Sequence, residues 1–198
     1  MKSYEKWMHH SSLIEFKFSE DTGSFFEVFN PADQTSLGNL FNASLETVGN
    51  AIQSAKNAGK FWGKMTAKDR QRILNRWHEI MLDYKEDLAQ IITLESGKPI
   101  QDSRTEVEYG AGFLQWYGEQ AKRVDGEVLQ PFGPNKRIVT IKQPIGVVAA
   151  LTPWNFPLAM ITRKISPALA AGCTVVVRPS ELAPFTALAI GKMALDAG

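Results

Sequence analysis

The sequence predicts an α/β protein, with a layer of long helices followed by the first strands of a parallel sheet. Three observations carry this expectation. Between Ser44 and Lys122, apolar residues recur at helical spacing in three successive segments. Nearer the C-terminus, the run IGVVAAL (Ile145 to Leu151) and the run CTVVV (Cys173 to Val177) are apolar on both faces, as in strands buried between helices. A helical stretch separates these two runs and another follows the second, and parallel strands require such crossovers.

Each element has a local reason. Phe25 to Phe29 is β-prone, Asn30-Pro31-Ala32-Asp33 is a turn signal, and Leu37 to Phe41 suits a partner strand within an extended first 40 residues. Ser44 caps a helix with Glu46 in its first turn, and Val48, Ile52, Ala55, Ala58-Gly59 and Phe61-Trp62 form its stripe. Thr66 and Asp69 open a long second helix whose stripe runs from Ile73-Leu74 through Trp77, Ile80-Met81, Tyr84 and Leu88 to Ile91-Ile92. A bend is expected near Asp87, and Gly97 with Pro99 stops the helix. A third helix is expected from Ser103 to Lys122, with Val107, Ala111, Leu114, Tyr117 and Ala121 inward. Gly126, Pro131, Gly133 and Pro134 then mark loops, and Arg137 to Lys142 alternates like a half-exposed strand arm. The helix between the two apolar strands should run from about Leu158 to Ala171 with a kink at Pro167, and a last helix from Phe185 to Ala197.

Composition bounds the function. The chain has 198 residues, 44% hydrophobic and 22% charged, with a net charge of +1. That balance supports a packed core and gives no electrostatic reason to bind nucleic acid or a membrane surface. Cys173 is the one cysteine, so no internal disulfide forms. Because it begins an apolar strand with no His, Lys or Arg beside it, it is not a candidate nucleophile. His9-His10 is read as an incidental terminal pair, and no metal site is expected. With no secretory signature at the N-terminus and no apolar run of about 20 residues, a cytoplasmic location is expected. No G-x-G-x-x-G follows a strand, and Ser96-Gly97-Lys98-Pro99 lacks the upstream glycine of a P-loop.

The hexapeptide TPWNFP, Thr152 to Pro157, stands out at the end of the first buried strand. In sheets of this architecture ligands bind beyond the carboxyl ends of the strands. Both TPWNFP and the RPSE bend, Arg178 to Glu181, fall at such ends. Pro153 and Pro157 restrict the backbone on either side of Trp154-Asn155.

TPWNFP, the following ALAAGCTVVV and the RPSE bend resemble the NAD(P)-dependent aldehyde dehydrogenase superfamily. The likeness extends upstream through FNPADQT, ESGKP and KQPIGVVAALTPWNFP, and so covers nearly the whole chain after about Phe25. The stretch MITRKISPALAAGC is most similar to the succinate-semialdehyde branch. The resemblance implies a Rossmann-like sheet. It implies three segments: residues 1–123 as the N-terminal part of a cofactor-binding domain, 124–143 as a β-strand oligomerisation arm, and 144–198 as the first β-α-β-α units of the NAD(P)-binding sheet.

It also implies roles. Asn155 resembles the family's oxyanion donor, and an amide suits this because it donates without a titrating proton. Thr152 and Trp154 resemble residues along the cofactor channel. Arg163 resembles an arginine that meets a substrate carboxylate, which a guanidinium fork can hold by two parallel bonds, whereas Lys164 is equally well a surface residue. Arg178, Pro179, Ser180 and Glu181 resemble the bend that meets the adenosine ribose. Arg178 departs from the family's usual lysine there and suits a 2′-phosphate, whereas Glu181 suits a free 2′-hydroxyl, so NAD is favoured and NADP stays open. The implied partners are a small aldehyde and further copies in a homo-oligomer. The nucleophilic cysteine and general base would lie beyond Gly198, so the chain is expected to be an N-terminal fragment or truncated product, inactive alone. The alternative is a non-catalytic remnant or split-protein module that binds nucleotide or assembles with another chain.

Overall fold

The computed structural model describes residues 2–19 and 24–198. The N-terminal stretch is not simply extended. Ser3–Trp7 form a 3-10 turn, and β1 (Leu13–Ile14) pairs with β2 (Lys17–Phe18) in a minimal hairpin. The turn is pinned because the Trp7 indole donates to Asp87 Oδ2 at 3.2 Å. The expected hairpin follows, with β3 (Phe25–Phe29) antiparallel to β4 (Ser36–Phe41) and a bulge at Val28/Phe29. Its turn is held by side chains that fold back on the backbone, as Asn and Asp do in turns. Asn30 Oδ1 accepts from the Ala32 amide at 3.0 Å, and Asp33 Oδ1 accepts from the Thr35 amide at 3.0 Å.

Helix α1 (Leu45–Trp62) starts where expected, and Ser44 Oγ accepts from the Thr47 amide at 3.0 Å. Its stripe is not buried, however, and Leu45, Val48, Ile52 and Phe61 are all exposed. α2 (Ala67–Asp83) is capped by Thr66, whose Oγ1 accepts from the Asp69 amide at 3.2 Å. The single long helix of the sequence reading is divided at Tyr84, where φ −106° and ψ 27° leave helical geometry, and α3 (Lys85–Ser96) follows. The break lies three residues before the expected bend, and Asp87 is a buried acceptor inside the first turn of α3. Gly97 ends α3 with φ +72°, a conformation a side chain disfavours. α4 (Ile100–Gln120) starts three residues earlier than expected, directly after Pro99. Val107, Ala111, Leu114 and Ala121 are buried as anticipated, and Tyr117 is partly so.

The arm is a short antiparallel hairpin of β5 (Glu127–Leu129) and β6 (Ile138–Thr140). It projects largely free of the core, and Val128, Phe132, Val139 and Ile141 are exposed. β7 (Val147–Leu151) and β8 (Thr174–Arg178) form the parallel pair, joined through α5 (Ala159–Ala170), and α6 (Phe185–Ala197) closes the chain. α5 remains one element through Pro167, and Gly172 at φ +90° turns the chain into β8.

The expectation of two fully buried strands is corrected. Ala150 is the buried residue of β7 and Thr174 that of β8. Among the described residues the sheet has these two strands alone, so each keeps an uncovered outer edge. The core lies instead where α4 packs on α2, α3 and α5, around fully buried Met81, Leu88, Ile92, Leu114, Leu158 and Phe185.

One contact sets how close α4 and α5 come. A Cβ at Gly110 would lie 2.1 Å from Leu158 Cδ2 and 3.2 Å from the Ala159 Cα. Leu158 is fully buried and cannot swing away. Gly110→Ala is therefore expected to cost about 1–3 kcal/mol in urea unfolding, the usual penalty of overpacking. An unchanged midpoint would show that α5 slides freely on α4.

Candidate active site

The register of the parallel pair brings the two candidate segments together. Leu151 stands opposite Arg178, and the Thr152 amide donates to the Arg178 carbonyl at 3.2 Å. TPWNFP and RPSE thus leave adjacent strands side by side at their carboxyl ends, though 26 positions separate Thr152 from Arg178 in the sequence.

Within the first corner, Thr152 is buried while Trp154, Asn155 and Phe156 are exposed. Asn155 does not turn into the core. Among the described residues the buried Thr152 hydroxyl has no hydrogen-bond partner. Arg163 is exposed in the second turn of α5, and Lys164 beside it is half-buried. At the second corner Ser180 is buried and its Oγ accepts from the Leu182 amide at 3.2 Å, which fixes the bend. Pro179 is half-buried. Arg178 Nη2 reaches Glu181 Oε2 at 3.0 Å. The two residues with opposed implications for a 2′-phosphate are therefore paired with each other at the surface. Glu181's own backbone amide, and then Arg178, hold its carboxyl below the usual range.

Sequence reasoning missed three residues behind this rim. Glu106, on α4, is buried, and its Oε1 accepts from the Leu158 and Ala159 amides at 3.0 and 3.2 Å. It caps the start of α5, where unpaired amides and the helix dipole favour an anion. Its Oε2 pairs with the Lys98 ammonium. Lys98 Nζ in turn donates to the Asn155 carbonyl at 2.9 Å and lies 4.0 Å from the centre of the Phe156 ring. Glu95, at the end of α3, does the same for α6, accepting from the Phe185 and Thr186 amides at 2.7 and 2.9 Å. Burial pushes the Glu95 carboxyl up to about 7, against the downward pull of the α6 donors. A glutamate among core-facing positions of α4 was the available signal for Glu106. ESGKP holds the other two, but it was read as a helix stop, a rejected P-loop and a stretch of family likeness, with no role for Glu95 or Lys98.

The chain matches the profile described as "Aldehyde dehydrogenase family" over residues 18–198. The chain belongs to the aldehyde dehydrogenase family. Among curated relatives, this aldehyde dehydrogenase chain is 48% identical over 176 residues to the mitochondrial succinate-semialdehyde dehydrogenase of Oryza sativa, covering 89% of the chain and 33% of that protein. It is 46% identical over 178 residues to the glutarate-semialdehyde dehydrogenase of Pseudomonas aeruginosa, covering 90% of the chain and 37% of that protein. It is 44% identical over 178 residues to the succinate-semialdehyde dehydrogenase (NADP(+)) of Escherichia coli, covering 90% and 37%. The crystal structure of succinate-semialdehyde dehydrogenase from Burkholderia pseudomallei superposes with a TM-score of 0.95 at 45% identity, covering 98% of this chain and 40% of that one. The chain spans about a third of the length of the curated relatives it matches.

The family's fold is thus present for this portion, and both corners sit on an open rim. A wide apolar groove of about 1590 Å³ lies elsewhere, between α1 and α2, lined by Phe61, Trp62, Met65, Ile73 and Val175, and it holds none of the candidate residues. Among the described residues no group of three or more His, Cys, Asp or Glu is placed to hold a metal, and no helix is long and apolar enough to cross a membrane.

Proposed function

We propose that this chain supplies the oxyanion donor, the carboxylate-binding arginine and the ribose-binding bend of an NAD(P)-dependent dehydrogenase that oxidises a carboxylate-bearing semialdehyde, such as succinate semialdehyde, to the acid. The observation that carries this reading is the pairing of Leu151 with Arg178, which sets Asn155 and the Arg178–Glu181 bend on one rim. Relatives named for succinate and glutarate semialdehydes support the substrate class.

The donor set at the second corner fits a nucleotide's ribose. Glu181 offers acceptors and Arg178 offers donors, and a vicinal diol uses both. Trp154, exposed at the end of the adjacent strand, offers an apolar face. Bound there, the cofactor would supply the acceptor for the hydride. Asn155 donates its side-chain amide to the aldehyde oxygen as negative charge gathers on it, and a preset donor of this kind costs no reorganisation. Arg163 holds the substrate's distant carboxylate, which orients the aldehyde end. The exposed apolar hairpin of β5 and β6 is the face we assign to assembly of further copies. The projection of this hairpin away from the core supports treating residues 124–143 as a separate arm.

The test is discrimination between substrates. In the enzyme that contains this chain, Arg163→Gln should raise KM for succinate semialdehyde by about 10-fold or more, as loss of a charge-assisted bond would. KM for an uncharged aldehyde of similar length should stay level. Equal effects on the two aldehydes would remove Arg163 from the substrate site. Turnover of succinate semialdehyde by the 198-residue chain alone would defeat the view that the nucleophile comes from outside it.

A further inference from the structure

We infer that Lys98 and Glu106 form a positioning pair that fixes the peptide plane of Asn155, and through it the direction of the Asn155 side chain. The inference rests on the oxyanion reading of Asn155 for its functional meaning, but its geometry stands apart from that reading.

The backbone of the corner shows why such a pair is needed. The Thr152 amide is tied to β8 through the Arg178 carbonyl. The Phe156 carbonyl accepts from the Met160 amide at 3.0 Å, and the Leu158 and Ala159 amides go to Glu106. Pro153 and Pro157 have fixed φ but no amide to donate. Between these anchors the Asn155 carbonyl has one hydrogen-bond partner among the described residues, the Lys98 ammonium at 2.9 Å. Asn155 itself is exposed, so packing does not hold it.

Lys98 is well placed to hold it firmly. Its side chain is only 15% exposed and that of Glu106 only 1% exposed. A long flexible side chain confined in this way has lost most of its rotamer freedom, so its bond to the carbonyl is nearly rigid. The Phe156 ring closes over the ammonium at 4.0 Å and screens it from water. Glu106 uses one oxygen for the ammonium and the other for the first amides of α5. One carboxylate therefore locks the end of the corner to the start of the helix that carries Arg163. The Lys98 ammonium is already engaged by Glu106 Oε2, the Asn155 carbonyl and the Phe156 ring, so we assign it to positioning. It acts through Asn155.

Substituting Lys98 alone strands the buried Glu106 carboxylate and destabilises the fold for reasons unrelated to positioning. The test uses Lys98→Met/Glu106→Gln, which removes both charges together and keeps a carbonyl oxygen to cap α5. The readout is the ¹⁵N order parameter of the Trp154, Asn155 and Phe156 amides in the 198-residue chain. In the unaltered chain these should lie near about 0.85, and in the double variant they should fall below about 0.6 while α2 and α4 stay rigid and the thermal midpoint stays close to the original. Order parameters unchanged in the double variant would overturn the inference. So would values already below about 0.6 in the unaltered chain, a measurement that needs no variant to fold. The same double substitution in the active enzyme should lower kcat while leaving nucleotide affinity level. A loosened corner with kcat unchanged would leave the clamp standing and refute the oxyanion reading.

Discussion

Asn155→Ala is expected to lower kcat of the enzyme containing this chain by about two to three orders of magnitude, roughly 3–4 kcal/mol of transition-state stabilisation. Nucleotide affinity and the melting temperature should hardly move. Asn155 is exposed at the rim, and its recorded bond, to Lys98, uses the backbone carbonyl, which alanine retains. The fold therefore loses little with the side chain. Substrate binding should also be largely spared, because the amide meets charge that develops only on the way to the transition state. Steady-state kinetics with KM and kcat reported separately would decide it. A variant that retained most of its kcat would remove Asn155 from the chemistry, and the proposed site would lose its centre.

The second large effect concerns pH and Glu95. This carboxyl is buried at the end of α3, with both oxygens turned to the first amides of α6. Its ordinary value of 4.5 is raised to about 7 in the folded chain, first by burial and last by the charge of Glu106. The folded state thus holds the proton more tightly than the unfolded state. The sign follows from linkage. Glu95's contribution is fully present below pH 4.5 and is lost as pH rises through about 7, and a shift of this size corresponds to about 3 kcal/mol. Other carboxylates act in the opposite sense, because Arg104 holds Glu86 below its usual range by a direct hydrogen bond. The measurement is therefore a difference. Urea unfolding of the chain and of Glu95→Gln, repeated from pH 4.5 to 8, should give stability curves that converge or cross, with only the unaltered chain losing Glu95's share. Parallel curves would show that the α6 amides keep Glu95 ionised throughout.

Local physics made much of this protein legible. The caps at Ser44 and Thr66, the stop at Gly97 and the β3–β4 turn depend on groups a few residues apart, so their chemistry is written consecutively. The core face of α4 followed from periodicity, and α6 begins and ends where the pattern placed it. The corner at Thr152 to Pro157 was visible because two prolines bracket a polar residue after an apolar strand.

Burial was less legible, because it belongs to neighbours rather than to residues. The stripe of α1 and both faces of β7 and β8 are apolar enough to be covered. Yet nothing within the described residues covers the outer edges of the strands or the exposed side of the helix. The contact that buries Asp87 beside the Tyr84 break was likewise out of reach, since its donor is the Trp7 indole, 80 positions earlier.

The sequence by itself determined most of the elements and the family, because helix spacing, caps and a proline-bounded corner are short-range properties of the chain. Tertiary structure alone decided that Lys98 holds Asn155, and that Glu95 and Glu106 cap the two helices behind the rim. These three contacts join groups 52 to 90 residues apart. Which buried carboxyl finds which helix terminus is set by how α3 and α4 pack on α5 and α6, and no local pattern encodes that packing.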